Sequence, residues 1–145
     1  MSLFNVLSVS ASGMAAQRTR AELLAENLAN AETTRTPEGG PYRRKDAVFV
    51  SQPQISLFSS VLETELTGGV TGVEVSEIVV DAREPEKRYL PGHPDADANG
   101  YVAFPRINPA EDMVDLLGAA RGYQANIAAM TAVKDMINRS IDLLR

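Results

Sequence analysis

From Pro109 to Arg145 the chain reads PAEDMVDLLGAARGYQANIAAMTAVKDMINRSIDLLR, and two stripes run along it at helical spacing. Met113, Leu116, Ala120, Tyr123, Ile127, Met130, Lys134, Ile137, Ile141 and Leu144 recur at intervals of three and four, which keeps them on one face of a helix. Gly118, Gly122, Ala125, Ala129 and Ala132 recur in the same way on another face. A glycine inside a helix costs about 1 kcal/mol relative to alanine, so two of them ask for a return, and the close approach of another backbone supplies one. Arg121 lies between them and argues against a membrane span. Asn108 can cap the start, Pro109 suits the first helical position, and Glu111 completes a capping-box pattern. A helix of this length, rising about 1.5 Å per residue, outreaches a compact domain whose radius of gyration would be roughly 15 Å. Such a rod must pack on two sides.

Working outward, Leu3, Leu7, Ser10, Met14, Gln17, Ala21, Leu24 and Leu28 mark a second helix over residues 3 to 30. Ser2 is a plausible cap, and Asn30 with Thr33, Thr34 and Pro37 supplies the stop. Its propensity is modest, so it should order only when docked. Between the helices the period shifts toward two, and Ala47 to Val50, Ile55 to Val61, Val73 to Val80 and Tyr101 to Phe104 are the strand candidates. Thr67-Gly68-Gly69 and Thr71-Gly72 offer turns, while Glu84 to Gly100 holds Pro85, Pro91 and Pro94 and is too rich in proline for a central strand. The fold class is α+β: an N-terminal helix over residues 1–32, a small β-rich insert with extended loops over 33–107, and a C-terminal helix over 108–145 that pairs with the first as an antiparallel coiled coil. That pairing is expected to bury about a dozen apolar side chains at roughly 1.5 to 3 kcal/mol each before entropy is subtracted. The large stripe would serve within the subunit and the Gly/Ala stripe against neighbours. Leu3, Leu7, Met14, Leu24 and Leu28 join the two stripes as candidate assembly residues.

Composition closes several other routes. A net charge of -5 and a pI near 4.9 give no basic footprint for nucleic acid, and Arg43-Arg44-Lys45 reads instead as a local salt-bridge patch. Without cysteine there are no disulfides, thiolate chemistry or cysteine-based zinc sites. No cleavable secretory signal is visible, since Arg18 follows the first apolar stretch, and no apolar run approaches the roughly 20 residues of a bilayer span. Asp95, Asp97, Asn99 and Gly100 match the opening of a calcium loop, but Arg106 stands where the closing glutamate belongs, so an Asx-type turn is the better reading and no metal is assigned. His93, the only histidine, sits between Pro91 and Pro94 and reads as structural. Glu63 with Glu65 and Glu84 with Glu86 read as solvated charges rather than an acid–base pair. No catalytic residue and no cofactor is assigned.

Ser10-Ala11-Ser12-Gly13-Met14, Gln17-Arg18 and Asn27-Leu28-Ala29-Asn30-Ala31 resemble the amino-terminal signature of bacterial flagellar rod and hook proteins. Tyr42-Arg43-Arg44-Lys45-Asp46, the run from Pro91 to Val102 and the helix from Glu111 to Asn126 are similar to the proximal-rod members of that family, from which Arg106, Gly118 and Gly122 depart. The resemblance implies a structural subunit, with no reaction catalysed, that passes uncleaved through the flagellar type III export apparatus and polymerises helically into a torque-transmitting tube in the periplasm. Its implied partners are further copies of itself, other rod proteins, the export apparatus and basal-body ring components, with neither nucleic acid nor a membrane span. The alternative is a secreted coiled-coil adaptor that docks without polymerising, and the remoter one is an enzyme or calcium-dependent domain built on Glu84 to Gly100.

Overall fold

The computed structural model describes residues 3–51 and 71–143. The strand candidate Ile55 to Val61, the turn at Thr67-Gly68-Gly69, Glu63, Glu65, the cap Ser2 and the stripe residue Leu144 lie outside the described residues. Two helices, α1 (Leu3–Ala29) and α2 (Pro109–Asp142), enclose four short strands: β1 (Lys45–Ser51), β2 (Val73–Val80), β3 (Glu86–Tyr89) and β4 (Tyr101–Phe104). The strands form two separate antiparallel ribbons, β1 with β2 and β3 with β4. The α+β class stands.

Asn108 caps α2 by accepting the Ala110 N–H on its side chain at 3.2 Å, and Pro109 occupies the first turn, where its missing N–H costs nothing. With 34 residues, α2 is about 51 Å long. The helices run antiparallel, because their contacts proceed in opposite order along the two elements: Gly13 lies against Asn126, Gln17 against Gly122, and Arg20 reaches Asp115 at 3.6 Å.

The helix interface is far less greasy than the sequence suggests. Among the described residues of the two helices, Ala16, Leu23, Leu24, Ala119 and Val133 are the buried apolar side chains, five where about a dozen are expected. Small and polar residues take the missing places, with Ser10 buried and Gly13, Gln17, Gly122 and Asn126 meeting at close range. The Gln17 Oε1 atom there, and the Asn5 Nδ2 atom elsewhere on α1, are enclosed without hydrogen-bond partners, each at a cost of about 1 to 3 kcal/mol.

The β1–β2 ribbon lies along α1. At one end Lys45 is bound to Asn27, and at the other the Val73 N–H donates to the Ser12 hydroxyl at 3.1 Å. From Ser12 to Asn27 the helix advances about 22 Å, close to the length of a seven-residue strand, so the two elements match. Val48 pairs with Glu77 and Phe49 with Val75, which leaves Ser76 as the extra residue of a bulge that bends the ribbon. The strand expected at Val73 to Val80 is found with those bounds, as is Tyr101 to Phe104. Within Glu84 to Gly100, Glu86–Tyr89 is also a strand: Pro85 and Pro91 flank it rather than interrupt it, and a two-stranded ribbon has no central position for proline to spoil.

Candidate assembly surface

The face of α2 that meets α1 lies between the two stripes. Asp112, Ala119 and Val133 are buried, and Leu116, Gly122, Asn126, Ala129, Met130 and Ile137 are partly buried around the same line. From the large stripe α1 covers Leu116, Met130 and Ile137; from the small stripe it covers Gly122 and Ala129. Two expectations are corrected here. The large stripe is not the within-subunit face, since Met113, Tyr123, Ile127 and Ile141 stand exposed, Met113 at 53% and Ile141 at 55%. Gly122 is not on the outward face, since a Cβ added to it would lie 3.2 Å from Gln17 Cδ. The physical reason is that α1 presents a narrow, partly polar ridge, and the groove between two stripes seats such a ridge better than a row of bulky side chains does.

Two outer flanks of α2 therefore remain open. On one side are Met113, Ile127 and Ile141; on the other, Gly118, Ala125 and Ala132. A Cβ at Gly118 would have nothing within 4 Å, so the glycine answers to no contact inside this chain. On α1, Leu24 is buried, Leu7, Met14 and Leu28 are partly buried, and Leu3 is exposed. The ribbons add Val48, Val50, Ile78, Val79 and Val80 to the exposed apolar set. Among the described residues, exposed large apolar side chains outnumber buried ones severalfold.

What holds the helix pair to the ribbons is a polar junction. Asn27, with no exposed surface, donates through Nδ2 to the Lys45 carbonyl at 2.8 Å, and its Oδ1 accepts the Lys45 N–H at 3.0 Å and the Tyr42 hydroxyl at 3.0 Å. Burial pushes the Tyr42 phenol up to about 12. A few ångströms further along, Arg44 Nη1 donates to Asp112 Oδ1 at 2.7 Å and its Nε to the exposed Asp46. The Asp112 side chain is fully buried, its Oδ2 has no partner, and burial pushes its carboxyl above the ordinary range against the pull of Arg44. Lys45 also pairs with Glu26, so Arg44 and Lys45 sit in salt bridges, while Arg43 reaches the Asp81 main-chain carbonyl at 3.5 Å. Asp81 is held down to about 2 by the Arg83 side chain and backbone N–H.

Sequence reasoning passed over Asn27, Arg44 and Asp112 as functional residues. The signal available was a polar residue among the apolar positions of each helix, which becomes legible only once its distant partner is known.

The other chemical candidates resolve as structure. Asp97 Oδ1 accepts the N–H groups of Asn99 at 2.8 Å and Tyr101 at 2.9 Å, which is the Asx-type turn. His93 Nδ1 accepts the Asp95 N–H at 3.1 Å, and its ring meets Phe104 edge-on. Glu86 pairs with Arg88 on the surface. Among the described residues no cluster of His, Cys, Asp and Glu is arranged to hold a metal, and no helix is long and apolar enough to cross a membrane.

Comparison with known proteins covers both helices and the region between. Residues 98–143 match the flagellar basal body rod FlgEFG protein C-terminal family, and residues 7–35 match the flagella basal body rod protein family. The flagellar basal-body rod protein FlgC of Bacillus subtilis is 40% identical over 99% of this chain and 99% of its own length. That of Salmonella typhimurium is 39% identical over 99% and 98%, and that of Borreliella burgdorferi 35% identical over 100% and 99%. Full-length identity at this level, joined to paired terminal helices with open flanks, means that the chain belongs to the FlgC family of flagellar basal-body rod proteins, which are structural components of the basal body and not enzymes.

Proposed function

We infer that this chain polymerises, copy upon copy, into the proximal part of the flagellar rod, a tube that crosses the periplasm and transmits motor torque after its subunits leave through the type III export apparatus. The observation that carries the reading is the position of α1 in the groove between two stripes, which leaves an apolar flank on each side of α2. Two unlike flanks on one helix favour head-to-tail contact, and such contact propagates as an open helical array. Neighbouring copies, other rod proteins and basal-body ring components are the partners, with 1–32 and 108–145 forming the axial part as a coiled coil and 33–107 the insert. The few buried apolar side chains and the enclosed amide atoms of the α1–α2 pair are consistent with helices that gain much of their stability on assembly.

The test uses substitutions that the isolated subunit tolerates. Gly118→Ala should stabilise the monomer by about 0.5 to 1 kcal/mol, read from urea unfolding, because the added methyl meets nothing and the helix gains propensity. Gly118→Leu and Ala125→Leu should leave monomer stability and export intact yet abolish swimming and remove the rod from isolated basal bodies seen by electron microscopy. Normal motility in both leucine variants would exclude that flank as an assembly contact. A chain that co-purifies with one partner and never with rings or tubes would favour the adaptor reading instead.

A further inference from the structure

The turn that joins β3 to β4 is fixed from several directions. Besides the two bonds to Asp97 Oδ1, the Gly100 N–H donates to the Asp97 carbonyl at 2.9 Å, and the Leu90 N–H donates to the Gly100 carbonyl at 2.9 Å. Gly100 has φ 78°, and a Cβ placed on it would lie 2.9 Å from Tyr89 Cε2 and 3.2 Å from Pro91 Cβ. Position 100 therefore admits glycine alone. Asn99 before it is exposed, and none of the described hydrogen bonds engages its side-chain amide. Asparagine followed by glycine is the most labile form of a thermolabile residue, because no side chain on the next residue hinders the main-chain nitrogen from reaching the amide carbon. The geometry of the turn thus imposes a reactive dipeptide and also occupies the N–H that must react.

We propose that Asn99 is a site of spontaneous deamidation that folding holds in check. The Gly100 nitrogen gives its proton to solvent base and attacks Asn99 Cγ. The new N–C bond closes a five-membered succinimide, Nδ2 takes up a proton from the conjugate acid of that base, the Cγ–Nδ2 bond breaks, and Nδ2 leaves as ammonia. Water then opens the ring at either carbonyl carbon, giving aspartate or isoaspartate, and no oxidant or reductant is consumed. In the folded turn the Gly100 N–H is committed to the Asp97 carbonyl, so the reaction waits on opening of the turn. Isoaspartate routes the main chain through Cβ and adds a methylene ahead of Gly100. The Tyr101 N–H can then no longer reach Asp97 Oδ1 in step with the Asn99 N–H, and the pairing of Tyr89 with Tyr101 loses its register. Ordinary aspartate leaves the main chain unchanged.

The full-length chain, incubated in mildly alkaline buffer with and without concentrated urea, tests both halves by peptide mass spectrometry with enzymatic detection of isoaspartate. Conversion at Asn99 should run at least about tenfold faster in urea, because a protected site must first open before it reacts. Equal rates in the two conditions, or no conversion at Asn99 in urea, would overturn the proposal. After removal of urea, isoaspartyl molecules should lack amide-exchange protection at Gly100 and Tyr101, while the Asn99→Asp chain retains it. Equal protection in the two would sink the claim that the modification breaks the turn.

Discussion

Replacing Asn27 with alanine should destabilise the folded chain by about 3 to 5 kcal/mol, which is exceptional for a single polar residue. The substitution removes three hydrogen bonds at once and leaves the Lys45 N–H, the Lys45 carbonyl and the Tyr42 hydroxyl, all partly buried, without this partner. A typical bond is worth about 1 kcal/mol net, and an orphaned buried group costs about 1 to 3 more. Tyr42→Phe removes one of the three and should cost about 1 kcal/mol. Asn27→Asp is expected to fare little better than alanine, because it keeps the acceptor, loses the donor and turns a carboxylate toward the Lys45 carbonyl. Urea unfolding followed by circular dichroism ranks the variants, and amide exchange at Lys45 localises the loss. If Asn27→Ala falls within about 1 kcal/mol of the parent, the junction does not depend on this side chain.

Arg44→Ala should be comparably severe, at about 3 to 5 kcal/mol, because it strands the fully buried Asp112 carboxylate without a countercharge. Combining Arg44→Met with Asp112→Leu should recover much of that loss, since an apolar pair of similar volume avoids desolvating two charges. The pH dependence has a definite sign. Burial raises the Asp112 carboxyl above its unfolded-state value, so the native chain holds that proton more tightly than the unfolded chain does. The resulting contribution is fully present below the unfolded value and is lost as pH rises through the folded one. Removing Arg44 raises the folded value further, so the gap in stability between Arg44→Ala and the parent should be widest near neutrality and narrow toward mild acid. A gap that is flat or widens on acidification would contradict the assignment.

The start of α2 was legible because Asn108 and Pro109 are local signals read by neighbouring N–H groups. Val73 to Val80 and Tyr101 to Phe104 were legible because β-branched and aromatic residues gather there. Glu86–Tyr89 was hidden by its charged residues and flanking prolines, which suit an open edge as well as they suit a loop. The two stripes were readable from their spacing, but the seat of α1 between them was not. Periodicity gives the angle of each row around a helix and says nothing of which gap a partner will occupy. For the same reason Gly122 and Gly118 looked alike in sequence, although one faces Gln17 and the other faces open space. The junction was the least readable part, since Asn27 meets Lys45 across 18 positions and Arg44 meets Asp112 across 68.

Asn27 grips position 45 by its main-chain N–H and carbonyl, not by its side chain. Every amino acid except proline offers those same two atoms. The clamp is accordingly indifferent to what residue 45 is, and the lysine there can drift to other identities at the cost of its pairing with Glu26 and its place over the Tyr42 ring. The holding end of the clamp enjoys no such freedom, since the side chain that fills it must donate and accept together at one depth. Mutational tolerance across this joint should therefore be lopsided, wide at position 45 and narrow at position 27.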